Sequence, residues 1–262
     1  MGEKLGNGSF GLVVLGRHIK TKTLVAIKIL TKKHIKTLSQ NESVRKEIGI
    51  LKLCHHPFIV RLLDHLEDNE YIYIVTEYIE GGNLNDYFKN NKFNFTEKQA
   101  ANIMKQIASG IDYLNQYGIV HRDLKPGNIM ITQPNDSGII KIADFGLSKI
   151  LSPNERIISH AGTPNFMAPE ILLGTPYNNE VDIWAIGVIL FYMLSGDYPF
   201  EGGSNSEIYK KITYHSIQFN YFHWRERSDS VKNLIKSCLE KYMDKRIDIY
   251  EFINHPWFSE KE

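Results

Sequence analysis

The stretch His121-Arg122-Asp123-Leu124-Lys125-Pro126-Gly127-Asn128 separates two apolar runs, residues 118–120 and 129–131. It reads as a short loop carrying an acid, a cation and an amide within six positions. A carboxylate such as Asp123 can accept the proton of a hydroxyl group. Lys125, two residues on, can neutralise phosphate charge from the same side. Asn128 offers a carbonyl oxygen to a hard cation such as Mg²⁺, which prefers oxygen ligands. An exposed charged turn would account for any one of these residues, but not for the whole set in fixed order. The loop is therefore taken as the centre of a reactive site.

Downstream, Pro134-Asn135-Asp136-Ser137-Gly138 reads as a turn and residues 139–143 as a strand delivering Asp144-Phe145-Gly146. That triplet is weak alone, but it stands 21 residues after Asp123 (144 − 123), where Asp144 becomes a second metal-ligand candidate. Residues 147–170 read as a long loop holding Ser148, Ser152, Ser159 and Thr163. It closes on Gly162-Thr163-Pro164 and Ala168-Pro169-Glu170. Arg122 supplies a fork that matches phosphate oxygens, and Ser159, four residues before Thr163, is the first candidate for a regulatory phosphosite because it resembles the position at which such loops are switched on. Thr163 is the second candidate, although it is expected rather to hydrogen-bond near Asp123 and Lys125. A loop that works unphosphorylated is the alternative.

Further on, residues 183–194 are apolar on every face and read as a helix buried in the domain centre. Asp182 at its start is expected to be satisfied by backbone amides of the 121–128 loop, and Arg246 to pair with Glu170. Amphipathic helices are expected over 204–215, 228–240 and 247–254, with His255-Pro256-Trp257-Phe258 closing the chain.

Upstream, Leu5-Gly6-Asn7-Gly8-Ser9-Phe10-Gly11-Leu12-Val13 holds the spacing G-x-G-x-x-G, which dinucleotide-binding folds share. Such folds continue into a helix, whereas residues 13–17 read as another strand. Residues 20–23 then form a turn and residues 24–30 a third strand. A glycine loop inside a hairpin can fold over nucleotide phosphates and present backbone N–H groups to them. Lys28, in Val25-Ala26-Ile27-Lys28, reads as a phosphate-holding lysine rather than part of a solvated face. A helix is expected over 43–53 with Val44, Ile48, Ile50 and Leu51 inward, and Glu47 beside that stripe is the candidate partner of Lys28. Glu42 and Glu70 are the alternatives. Strands are expected over 59–67 and 71–78, the second running into a glycine-rich linker of the kind that joins two lobes. A capping box, Thr96 to Gln99, then opens a helix reaching Tyr117.

The 262 residues, 42% hydrophobic and 23% charged, suit one large or two small globular domains. A net charge of +1 gives no electrostatic reason to expect nucleic acid. Two cysteines, Cys54 and Cys238, make no disulfide framework, so a reducing intracellular compartment is expected, cytoplasmic with nucleus and centrosome left open. The N-terminus has neither a signal peptide nor a myristoylation pattern, and residues 183–194 are too short to span a bilayer. No membrane anchor is expected within the chain.

Taken together, these motifs resemble the eukaryotic protein kinase domain, and the resemblance runs from Leu5 to Phe258. Lys125 and Gly162-Thr163-Pro164 resemble serine/threonine rather than tyrosine kinases. The closing His-Pro-Trp-Phe and the run Asp144–Lys149 resemble the calmodulin-dependent and calcium-dependent group, while residues 162–165 also resemble polo-like kinases. The resemblance implies an α+β, two-lobed fold: a small antiparallel β lobe with one key helix over 1–79, and a larger, mainly helical lobe over 80–262. It implies ATP and Mg²⁺ as cofactors, protein substrates, and an upstream activating kinase as a further partner.

By the same resemblance Lys28 holds the α- and β-phosphates and Glu47 positions it. Asp144 and Asn128 bind the metal, Asp123 is the base, and Lys125 stabilises the moving charge. Leu5, Gly6, Asn7, Gly8, Ser9, Phe10 and Gly11 cover the nucleotide, while Thr76 (the gatekeeper), Glu77 and Tyr78 form the hinge. Val13, Ala26, Leu84 and Met130 enclose adenine, and Leu51, Leu62, His121 and Phe145 stack as a spine tied to Asp182. Asn83 and Gly127 stand where arginine-directed relatives carry glutamate, which implies a weakened or shifted basic preference. The expected activity is γ-phosphoryl transfer to Ser or Thr hydroxyls. A nucleotide-binding pseudokinase scaffold and a small-molecule kinase are the alternatives, and the filled catalytic positions argue against the first. The chain reads as an excised or truncated domain, and any calcium-binding hands, autoinhibitory helix or targeting domains would lie outside it.

Overall fold

The computed structural model describes residues 2–8, 11–35, 37–135, 137–219 and 224–259. Five strands, β1 (Lys4–Gly8), β2 (Gly11–Arg17), β3 (Leu24–Thr31), β4 (Leu62–Glu67) and β5 (Tyr71–Glu77), form an antiparallel sheet in the order β1-β2-β3-β5-β4. One helix, α1 (Leu38–Leu53), lies against β4. Its buried face carries Val44, Glu47, Ile48, Ile50 and Leu51. The helix begins five residues ahead of the expected 43–53. Thr37 caps it: the Gln40 N–H donates to Thr37 Oγ1 at 3.2 Å, and the Thr37 N–H donates to Gln40 Oε1 at 3.1 Å. That reciprocal pair satisfies two amides the first turn would otherwise leave open.

The second lobe is mainly helical. Its helices are α2 (Leu84–Asn90), α3 (Glu97–Gln116), α4 (Pro169–Leu173), α5 (Glu180–Ser195), α6 (Asn205–Tyr214), α7 (Asp229–Cys238) and α8 (Ile249–Ile253). Two short ribbons complete it: β6 (Ile119–Val120) with β9 (Lys149–Ile150), and β7 (Ile129–Ile131) with β8 (Ile140–Ile142). Residues Val181 to Ser195 of α5 are all buried, and α3 and α7 pack on it. Each fully buried Val, Leu, Ile or Phe there contributes roughly 1.5–3 kcal/mol, so α5 anchors the lobe. The two-lobed α+β fold is the expected one.

Three local expectations are corrected. Residues 59–61 do not extend β4. Instead, the Val60 N–H donates to Ile142 O and the Ile142 N–H to Phe58 O, each at 2.9 Å, tying the chain between α1 and β4 to β8 of the other lobe. The helix α2 was not foreseen. Asn83 caps it by accepting from the Asp86 N–H at 3.1 Å. The expected helices over 204–215, 228–240 and 247–254 are one to two residues shorter at every end, where Ser204, His215, Ser228, Leu239, Asp248 and Asn254 are the caps. Among the described residues no helix is long and apolar enough to cross a membrane.

Candidate active site

Strand β3 and helix α1 bring Lys28 and Glu47 together, with Lys28 Nζ 2.6 Å from Glu47 Oε1 and 3.3 Å from Asp144 Oδ1. Glu47 is 5% exposed, and neither Glu42 nor Glu70 takes its place. Burial works against the charge on Lys28, but the Glu47 and Asp144 carboxylates outweigh it and hold its pKa above the ordinary lysine value. Burial likewise opposes ionisation of Asp144, and the Lys28 ammonium outweighs that, keeping the carboxyl below the usual aspartate range. Asp144 has φ +59° and Arg122 φ +68°. L-residues rarely adopt this left-handed region, and holding it costs on the order of 1 kcal/mol or more each.

A buried carboxylate imposes the turn at Arg122. Asp182, 1% exposed at the start of α5, accepts from the His121 N–H at 2.7 Å and the Arg122 N–H at 2.9 Å. The His121 ring lies edge-on to Phe145, centroids 5.1 Å apart, with Nε2 3.0 Å from Ala143 O. Leu51 is buried and Leu62 packs partly buried against the same core.

With the loop so fixed, Asp123 sits among donors. Its Oδ2 accepts from Lys125 Nζ at 2.8 Å and from Asn128 Nδ2 at 2.9 Å. Its Oδ1 accepts from the Thr163 hydroxyl at 2.7 Å, and Lys125 Nζ donates to Thr163 Oγ1 at 2.7 Å. Asn128 spends its Nδ2 on Asp123, and among the described residues nothing donates to its Oδ1. That oxygen and the Asp144 carboxylate are of the type Mg²⁺ takes.

The segment after Gly146 is ordered by hydroxyl contacts. Arg122 donates from Nε to Leu147 O at 2.5 Å and from a terminal nitrogen to Ser159 Oγ at 2.8 Å. Tyr177, 1% exposed, lies with its hydroxyl 3.1 Å from Ser159 Oγ, and Ile157 and Tyr177 exchange both backbone bonds. Ser148 is 6% exposed and donates to His121 O, whereas Ser152 is exposed and Ser159 is half-buried, its hydroxyl held between Arg122 and Tyr177. At the end of the segment Arg246 grips Glu170 through two bonds of 2.6 and 2.9 Å.

Comparison with protein families matches residues 1–258 to the protein kinase domain. The chain belongs to the protein kinase domain family. Among relatives, this kinase domain is 38% identical over 260 residues to a probable myosin light chain kinase of Dictyostelium discoideum. It is 41% identical over 256 residues to calcium-dependent protein kinase 4 of Plasmodium falciparum, and 40% identical over 255 residues to calcium-dependent protein kinase 5 of Plasmodium berghei. These alignments cover 97–99% of the chain but only 66%, 48% and 44% of the three relatives.

Within the kinase domain Val13, Ala26 and Thr76 share one face of the sheet with Lys28. Ala26 and Lys28 point the same way on β3, and their cross-strand partners are Thr76 for Ala26 and Val13 for Lys28. Met130 on β7 bridges to Asn83, and Leu84 is wholly buried, a support rather than a surface. Gly6, Asn7, Gly8 and Gly11 lie in the β1–β2 hairpin, with Leu5 exposed; Ser9 and Phe10 lie outside the described residues. A side chain at Gly11 would collide with Ile29 O, its Cβ falling 1.8 Å away. The Glu77 N–H is spent on Arg61 O at 3.0 Å, and its carboxylate on Lys141 at 2.8 Å. The N–H groups of Tyr78 and Ile79 donate to nothing among the described residues. Ile79 lies in the expected hinge stretch 76–82, and its open amide makes it a hinge candidate beside Tyr78.

Proposed function

We propose that the chain is an ATP-dependent protein kinase that transfers the γ-phosphoryl group to Ser or Thr hydroxyls of protein substrates. The observation that carries this reading is the meeting of Lys28, Glu47 and Asp144 in one ion-paired cluster, beside a loop in which Lys125 and Asn128 both donate to the Asp123 carboxylate. Lys28 would hold phosphate oxygens, with Glu47 keeping its ammonium on station. Asp144 and Asn128 would hold Mg²⁺, which supplies charge neutralisation between the phosphates. Asp123 would accept the hydroxyl proton, and Lys125 would meet the charge that develops on the transferred group. Positioning and electrostatics then supply the acceleration, as phosphoryl transfer demands.

The activation segment is the proposed point of control. Arg122 already reaches Ser159, so a phosphate there would gain a fork-shaped partner. An upstream kinase is the proposed agent. Asn83 is uncharged and engaged in capping, and Gly127 has no side chain, which supports a weak preference for upstream arginine.

The test is Mg²⁺-dependent transfer from labelled ATP to a generic Ser/Thr substrate, comparing the parent with Asp123→Asn and following Ser159 occupancy by mass spectrometry. Transfer lost in Asp123→Asn, and rising with Ser159 phosphate, is the expected result. A folded, ATP-binding, Ser159-phosphorylated protein that transfers nothing would overturn the reading.

A further inference from the structure

A large depression lies at the base of the helical lobe, and none of its lining residues belongs to the site above. Its volume is about 1240 Å³. It opens between the loop after α2, the first half of α3, the start of α7 and the final turn, Pro256–Phe258. One carboxylate locks these walls together. Glu97 Oε1 accepts from the Ser228 N–H, and Oε2 accepts from the Ser228 hydroxyl and from Trp257 Nε1, each at 2.7 Å. Arg227 donates to Phe95 O at 2.9 Å and Leu194 O at 3.1 Å, fixing the floor. The depression is thus formed before any ligand arrives, which lowers the ordering cost of binding.

Its charge is lopsided. Lys92, Lys98, Lys105 and Arg227 line it, and among the described residues none of the four forms an ion pair. Two carboxylates oppose these four cations, Glu97 inside the wall and Glu226 on the rim, which leaves the lining with a positive excess. With a net charge of only +1 for the whole chain, this excess is local.

The spacing narrows the ligand. Lys98, Ala101, Asn102 and Lys105 fall at i, i+3, i+4 and i+7, a single stripe of α3 facing the depression. The two lysines stand about 10 Å apart along the helix axis. Between them the small Ala101 leaves a trough, bordered by the half-buried rings of Phe93 and Phe258. An extended polyproline-type segment brings residues i and i+3 to one edge about 9 Å apart. A fatty acid offers one carboxylate where the stripe offers two separated cations.

We propose that this groove docks an acidic, extended segment of a protein partner. Two carboxylates three residues apart engage Lys98 and Lys105, and an apolar side chain between them rests on Phe93 and Phe258. The groove would recruit partners independently of the nucleotide cleft.

The probe is a fluorescein-labelled peptide, Gly-Glu-Phe-Pro-Glu-Gly, followed by fluorescence anisotropy on the whole chain. Its glutamine counterpart serves as control, beside Lys98→Glu/Lys105→Glu and Ala101→Gln, the latter filling the trough without changing charge. We expect saturable, salt-sensitive binding that falls about tenfold or more in both variants and for the glutamine peptide. Melting temperatures and transfer to a short neutral peptide substrate stay at parental values. No saturable binding by the parent, equal binding by the variants, or equal binding of the glutamine peptide would each overturn the proposal. So would oleate or a single-stranded oligonucleotide occupying the groove while the peptide does not. The assay needs no phosphate transfer, so its failure is distinct from failure of the kinase reading.

Discussion

The Thr163 hydroxyl donates to Asp123 Oδ1 at 2.7 Å, across 40 residues of chain. Lys125 braces the same pair, holding Thr163 Oγ1 at 2.7 Å and Asp123 Oδ2 at 2.8 Å. The activation segment therefore touches the proposed base directly, and the two must move together.

Thr163→Val keeps the side-chain shape and removes both bonds. Loss of a positioning contact should lower kcat by about 10–100-fold, while KM for ATP stays near the parental value because Lys28 and the hinge are untouched. Steady-state kinetics decide; an unchanged kcat would make the contact incidental.

The Glu170–Arg246 pair is nearly dry, with side chains 5% and 0% exposed. Removing one partner strands a buried charge. Glu170→Ala should cost about 3–5 kcal/mol and lower Tm by about 10 °C in a chain of this size. Glu170→Leu with Arg246→Met should recover part of the loss, since no charge is then left alone. A double variant as unstable as the single would refute this account.

Lys28→Met tests the electrostatics at Asp144. A carboxyl whose folded pKa lies below its unfolded value adds stability above the unfolded value and loses it as pH falls through the folded one. In the parent, Lys28 holds Asp144 on that side. Without the cation, burial dominates, so the Asp144 pKa should rise and the acid limb should move to higher pH. A ¹³C NMR titration of the Asp144 carboxyl measures it directly, and an unmoved pKa would eliminate Lys28 as the cause.

A Cβ at Gly127 meets nothing within 4 Å, so a side chain there would project into open space. The parent should show no dominant arginine selection three residues upstream of the phosphorylated residue. Gly127→Glu should acquire it, raising kcat/KM for arginine-bearing peptides by about tenfold, or ~1.4 kcal/mol. An oriented peptide library checks both statements. Strong arginine selection by the parent would contradict the first.

Much of this site was legible in the chain alone, because its chemistry sits on short contiguous stretches. Residues 121–128 and 144–146 each carry their functional groups within a few positions, so spacing along the chain already implies spacing in space. Glu47 was a candidate because it lies beside the buried stripe of Val44, Ile48 and Leu51, and its distance to residues 56–60, which resembles that in kinases, favoured it over Glu42 and Glu70. The start of α1 was missed because residues 38–43 are mostly polar and carry no apolar period. There the Thr37–Gln40 capping box was the signal available. The short α2 had too few turns to show a period, and its cap at Asn83 was read only as a missing glutamate.

What the sequence by itself determined, then, was the kind of fold and the residues expected to do chemistry. The sequence also named pairs that meet, such as Lys28 with Glu47 and Glu170 with Arg246, and the tertiary structure alone decided the contacts that no local pattern signals. The structure committed the Glu77 amide to Arg61, left those of Tyr78 and Ile79 with no acceptor among the described residues, and carried residues 59–60 to β8 rather than into β4. It also assembled the basal groove, where Glu97 joins Ser228 across 131 residues and Trp257 across 160. The reason is physical: periodicity and capping are set by chain neighbours. A hydrogen bond between residues more than a hundred apart depends on where the whole core places two backbones, and leaves no local trace.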